Sequence, residues 1–182
     1  DVYKRQVYRN GKIIMRQHVP ELDRNLSNDE FLDLIVDCFH SVIFGTVDQN
    51  GDPHTNIIDI DFNEDGRLIF ATTNQKSFYR HIKGHNKVSI TALRGRETLT
   101  SIGFTLEGYV DEVSPQYLER IYKIKPPMHH IYANKTKDMN TLRAFALTPI
   151  IGSVYDLRFD HVFQKQFDFV NVPSKMQVEI LE

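Results

Sequence analysis

Apolar residues Phe31, Leu34, Ile35, Cys38 and Phe39 recur at spacings of 3, 1, 3 and 1, which sets them on one face of a helix over residues 28–40. Ser27 and Glu30 precede that run with capping-box spacing, so Ser27 is its expected N-cap. The period then shortens. Residues 41–47, 54–62 and 67–72 read as strands, separated by Asp48-Gln49-Asn50-Gly51-Asp52 and Asn63-Glu64-Asp65-Gly66, whose Asn and Gly residues suit tight hairpins. In the second of these strands Ile58, Ile60 and Phe62 fall on one face, and Thr55, Asp59 and Asp61 on the other. Phe78 and Ile82 restore a helical spacing that Gly84 ends. Residues 87–93 and 102–113 return to strand patterning, and Ser114-Pro115 opens a third helix, with Ser as N-cap and Pro in its first position, that ends before Pro126-Pro127. Residues 142–147 and 152–157 read as two further strands, and Phe167, Phe169 and Val170 as a last one. Six or more antiparallel strands interrupted by two or three helices predict a mainly β (α+β) chain folded as a closed or split barrel.

The 182 residues suit a single domain, and a 41% hydrophobic content supplies a sizeable core. A net charge of −2 argues against nucleic acid as the main ligand, because phosphate-backbone binding calls for a dominant basic surface. The single cysteine, Cys38, rules out an intramolecular disulfide and reads as a small buried hydrophobe. No apolar run approaches the length of a membrane span, so neither a membrane nor a nucleic acid is an expected partner, and a cytoplasmic location is the default. Residues 1–24 read as a polar, basic N-terminal arm or short edge strand with a turn at Asn10-Gly11, residues 25–170 as the barrel domain, and residues 171–182 as a C-terminal tail.

Candidate chemistry concentrates in residues 70–79. A strand ends in Thr72 and Thr73, a short loop carries Lys76, and a helix begins at Ser77. Free N–H groups at a helix N-terminus favour an anion, and Lys76 would add a full charge. The same residues also suit plain helix capping, with Lys76 in solvent.

These segments resemble the pyridoxamine 5′-phosphate oxidase-like FMN-binding split barrels. The resemblance rests on Gly45-Thr46-Val47-Asp48-Gln49-Asn50-Gly51-Asp52-Pro53-His54, on residues 67–73, and on Lys76-Ser77-Phe78-Tyr79 with the following Asn86-Lys87-Val88. It continues through residues 104–113, Ser153-Val154-Tyr155-Asp156-Leu157 and Lys165-Gln166-Phe167, covering about residues 28–170 in family order. It implies a six-stranded antiparallel split barrel, a homodimer with FMN in a groove at the interface, and a small-molecule substrate. Thr72, Thr73, Lys76 and Ser77 would then serve the phosphate, while Asn56, Ile57 and Ile58 would line the flavin ring. Many members place an arginine on the second strand, where this chain has His54, Thr55 and Asn56. The implied activity is an FMN-dependent oxidoreductase passing hydride or electrons to a small organic acceptor. The alternative is a non-catalytic or haem-binding barrel using the same groove.

Other candidates have simpler readings. His81 and His85 lie four apart, a spacing that can pair metal ligands, but no third ligand is near in sequence and no metal site is expected. His129-His130 reads as part of a polar loop, Asp59 and Asp61 as a solvent-facing stripe, and Lys76, Arg80, Lys83 and Lys87 as an exposed basic set. No Ser-His-Asp order, Cys-His pairing or glycine-rich nucleotide loop occurs, so any redox chemistry would belong to a cofactor.

Overall fold

A computed structural model of the chain describes residues 16–126, 128 and 141–170. The expected turn at Asn10-Gly11, the His129-His130 pair and the tail at 171–182 lie outside the described residues. The opening helix begins as its sequence requires. Ser27 Oγ accepts from the Glu30 N–H at 3.2 Å, and Glu30 returns a carboxylate to the Ser27 N–H at 2.7 Å, completing the capping box of α1, Asn28–Leu34. That hydrogen bonding also holds the Glu30 carboxyl below its ordinary range. The helix does not run on regularly to residue 40. Residues 35–39 form a π turn closed by the His40 N–H on the Ile35 carbonyl at 2.8 Å, and His40 leaves it at φ 63°. Phe31, Leu34, Ile35, Cys38 and Phe39 nonetheless all reach the core. The Cys38 thiol is pushed up to about 11, chiefly by burial, which keeps it protonated and inert.

Among the described residues one antiparallel sheet of eight strands, not six, curls into a split barrel. Its strands are β1 Ser41–Val47, β2 Pro53–Asp59, β3 Phe62–Glu64, β4 Arg67–Thr73, β5 Lys87–Arg94, β6 Ile102–Glu112, β7 Leu142–Asp156 and β8 Phe163–Asp168. Their order is β2-β1-β5-β6-β7-β4-β3, with β8 also on β7. Two differences from the strands read in the sequence offset each other in the count. The strand expected over 54–62 breaks at a corner, where the Ile60 N–H donates to the His40 carbonyl and the Asp61 N–H to the Ile69 carbonyl, each at 2.8 Å. Conversely, 142–147 and 152–157 belong to one 15-residue strand that passes through Pro149. On one edge β7 pairs with β4 up to Leu147 and with β8 from Ile151. Pro149 lies in the gap between these partners, where its missing N–H costs that edge no ladder bond.

Helices α2, Ser77–Gly84, and α3, Gln116–Ile124, complete the frame. Phe78 and Ile82 of α2 enter the main core beside Phe44 and Phe70. The third helix starts one residue later than its sequence suggests, with Pro115 in the cap position and Ser114 Oγ accepting from the Gln116 N–H at 3.3 Å. It lays Ile121 on Ile69, Ala146 and Phe62, forming a second cluster outside the barrel. Among the described residues no helix is long and apolar enough to cross a membrane.

Candidate functional site

Strand alternation sorts the sequence-predicted residues. On β2, His54, Asn56 and Ile58 face the barrel side, and Ile57 faces outward with 76% of its surface exposed. Ile58 is buried in the core, so its side chain is already committed to packing. On β4, Leu68 and Phe70 are core residues; Thr72 shares their face and is buried, whereas Thr73 points to the opposite, α3-covered side. The structure therefore puts Asn56 and Thr72 on the barrel side of β2 and β4, strands that do not pair with each other, and points Thr73 and Ile57 to the opposite side.

Beyond Thr73 the chain turns sharply. The Lys76 N–H donates to the Thr73 carbonyl at 3.2 Å, and the Asn74 N–H to the Thr141 carbonyl at 2.8 Å. Lys76 is the N-cap residue of α2, and its side chain makes no capping hydrogen bond. Lys76 and Ser77 are both exposed. Lys76, an amine, gives the first N–H groups of α2 no capping acceptor, in contrast to the boxed start of α1. Thr72 Oγ1, fully buried, has no hydrogen-bond partner among the described residues. Unmet donors of this kind fit a bound oxyanion, and the lysine ammonium at the same turn adds positive potential.

Two clusters escaped sequence reading. His54 and His81, 27 positions apart in the numbering, stack with ring centroids 4.3 Å apart. His54 Nε2 lies 3.2 Å from Asp48 Oδ2, and His81 Nδ1 lies 3.4 Å from the buried Thr46 hydroxyl. The sequence reading sets His81 beside His85, four positions on, without expecting a metal there, and does not connect it with His54. The second cluster overturns the reading of Asp59 and Asp61 as a solvent-facing stripe. Asp61 is buried 2.7 Å from Lys125 Nζ, which also reaches Asp59 at 3.1 Å; His40 Nε2 lies 3.4 Å from Asp59. The corner at Ile60–Asp61 turns Asp61 inward. Burial pushes its carboxyl up while Lys125 pulls it down. The Asp59 carboxyl is lowered by the His40 hydrogen bond, against burial, with Lys125 also contributing. The Lys125 ammonium is held above its ordinary range by Asp61 and Asp59 despite its burial.

Of the exposed basic set, Lys83 is tied to Glu112 at 3.0 Å. Among the described residues no group of three or more His, Cys, Asp or Glu side chains is arranged to hold a metal.

Solved structures with the same fold accompany this geometry. A protein from Clostridium acetobutylicum, related to general stress protein 26 and of the pyridoxinephosphate oxidase family, matches with a TM-score of 0.57 at 17% identity, covering 82% of this chain and 98% of its own. A pyridoxamine 5′-phosphate oxidase-related, FMN-binding protein from Nostoc punctiforme gives 0.53 at 13% identity, covering 79% and 85%. The haem storage protein HutZ from Vibrio cholerae gives 0.53 at 13% identity, covering 75% and 94%. A search of curated proteins finds no match to the sequence. The family model of pyridoxamine 5′-phosphate oxidase matches residues 28–150, which span α1, β1 to β6, the β4–α2 corner and most of β7. By that match, and by a fold and strand–loop–helix corner that agree with it, the chain belongs to the pyridoxamine 5′-phosphate oxidase family.

Proposed function

We propose that the protein binds FMN at the β4–α2 corner and acts as an FMN-dependent oxidoreductase on a small organic substrate. The observation that carries this reading is the α2 N-terminus whose cap residue Lys76 makes no capping hydrogen bond, preceded by a buried Thr72 hydroxyl with no partner among the described residues. Thr72, Lys76 and Ser77 would hold the phosphate, with Thr73 shaping the turn through its carbonyl. Asn56 would offer its amide from β2, and Ile57 and Ile58 would border the ring, Ile58 through its backbone. FMN supplies hydride and single-electron chemistry when bound; the chain's own residues bind and orient it.

Lys76→Ala is expected to weaken FMN binding about tenfold to a hundredfold while riboflavin affinity changes little, because only FMN carries the phosphate. Titration of both ligands checks this. Equal losses for the two would remove Lys76 from the phosphate site. The haem-storage neighbour supports a second reading, in which the barrel takes haem. The visible spectrum of protein loaded with each cofactor in turn separates the two.

The second subunit that a flat, exposed cofactor calls for has a suitable surface. Ile43 and Ile57 are register partners on the outer face and are 43% and 76% exposed. Burying such a pair against its copy is the expected basis of a homodimer. Light scattering is expected to give twice the chain mass, and Ile57→Lys to give the monomer. A wild-type monomer at micromolar concentration with cofactor bound would dismiss the dimer.

A further inference from the structure

A phosphate monoester carries close to two negative charges at neutral pH, and at the β4–α2 corner Lys76 brings a single positive one. A second cation stands one strand away. Arg143 is the register partner of Thr72 in the β4–β7 ladder. Phe145 and Leu147 of β7 are core residues, so by alternation Arg143 lies on their barrel side, to which Thr72 also turns. Directly opposed residues on one face of a sheet have Cβ atoms about 5 Å apart. Arg143 therefore adjoins the Thr72 side chain, which is 3% exposed and whose hydroxyl has no partner among the described residues. The arginine's own partner is shared. Arg143 Nε lies 3.3 Å from Glu112 Oε1, while Lys83 Nζ lies 3.0 Å from Oε2 of the same carboxylate. Lys83 belongs to α2, the helix that starts at the corner, and Tyr79 of that helix packs edge-on against Phe145 at 5.9 Å. All three charged groups are partly exposed, so these ion pairs form and part at little cost. When Arg143 leaves Glu112, Lys83 still neutralises it.

We propose that Arg143 is the second cation of the phosphate site, handed from Glu112 to the phosphate on binding, with Lys83 left to hold Glu112. This inference rests on the reading of the β4–α2 corner as the place where a phosphate binds. An arginine suits the task, since its planar fork offers two parallel N–H donors to phosphate oxygens where a lysine offers a point charge.

FMN and riboflavin, titrated on the same full-length preparations by quenching of flavin fluorescence, test the assignment. The ratio of the two affinities reports the phosphate and cancels any loss of folded protein. Arg143→Gln is expected to lower the FMN-to-riboflavin ratio about tenfold or more, and Arg143→Lys to lower it less. Glu112→Gln should raise the ratio by releasing Arg143, and should leave it unchanged once Arg143 is replaced by glutamine. Lys83→Met should lower the ratio by binding Glu112 more firmly to Arg143, again only while the arginine is present. A ratio that falls in Lys76→Ala but holds in Arg143→Gln overturns the role of Arg143 and leaves the corner standing. An effect of Glu112→Gln that is equal with and without Arg143 overturns the handover. A wild-type ratio near one that Lys76→Ala does not change sinks the phosphate reading itself, and Arg143 with it.

Discussion

Lys125→Ala is expected to destabilise the protein by about 3–5 kcal/mol, because it leaves a buried carboxylate without its cation. Asp61 is almost wholly enclosed, and Lys125 Nζ at 2.7 Å is its sole ion-pair partner among the described residues. Denaturant unfolding of Lys125→Ala, Asp61→Asn and a Lys125→Met/Asp61→Asn pair measures the effect. The double variant should recover much of the loss, since removing both charges removes the penalty of burying one alone. If Lys125→Ala unfolds with the wild-type midpoint, the cluster is not part of what holds α3 to the barrel. The pH dependence has a definite sign. Lys125, raised in the fold, contributes stability that is present below the ordinary lysine range and lost as pH climbs through it. Asp59, lowered in the fold, contributes stability present above the ordinary carboxylate range and lost as acid protonates it. Asp61 acts in the opposite sense to Asp59, since burial favours its protonated form. The lysine variants should therefore lose the alkaline fall in stability while keeping the acid one.

The difference between what was legible and what was not follows the range of the forces involved. The capping box of α1, the Asn50-Gly51 hairpin and the Phe78/Ile82 face of α2 are local, set by residues within a few positions of each other, and they stand as the sequence predicts. The π turn at 35–39 changes the end of the first helix through i→i+5 backbone bonding, which the 3, 1, 3, 1 spacing does not exclude. Residues 142–147 and 152–157 read as two strands in the sequence; β7 runs through Pro149 between them because its partner on one edge changes at that point. The strand–loop–helix corner could be singled out in the sequence because its parts are contiguous, and its role as an anion site remains the proposal made above. The opposite directions of Thr72 and Thr73 follow from simple alternation. The meeting of Lys125 with Asp59 and Asp61 depends on docking a helix 64 positions from the latter, and no periodicity reports it.

Phe31→Ala is expected to cost about 3–5 kcal/mol, through lost burial and the cavity left behind. Phe31 is fully buried, stacked on Phe167 with centroids 4.1 Å apart and edge-on to Phe104 at 6.1 Å. It joins the opening helix to β8 and β6 in one contact set. Its ring also explains a glycine on β7: a Cβ at Gly152 would come within 2.7 Å of Phe31 Cε1 and 2.9 Å of Leu106 Cδ1. Gly152→Ala should therefore be destabilising in the wild type, and less so in Phe31→Ala, where the missing ring leaves room. A thermodynamic cycle over these two positions reads that coupling directly. Strictly additive effects would mean that the ring does not press on Gly152.

Strand β7 bears on the order in which the protein can be made. It is the common partner of β4, β6 and β8. As the polypeptide leaves the ribosome, β4 and β6 emerge long before it, each with an edge that stays unpaired until residues 142–156 follow. Open edges of that kind invite pairing with other nascent chains. A product released before Thr141 would hold a β2-β1-β5-β6 sheet and a separate β3-β4 hairpin, with no ladder joining the two.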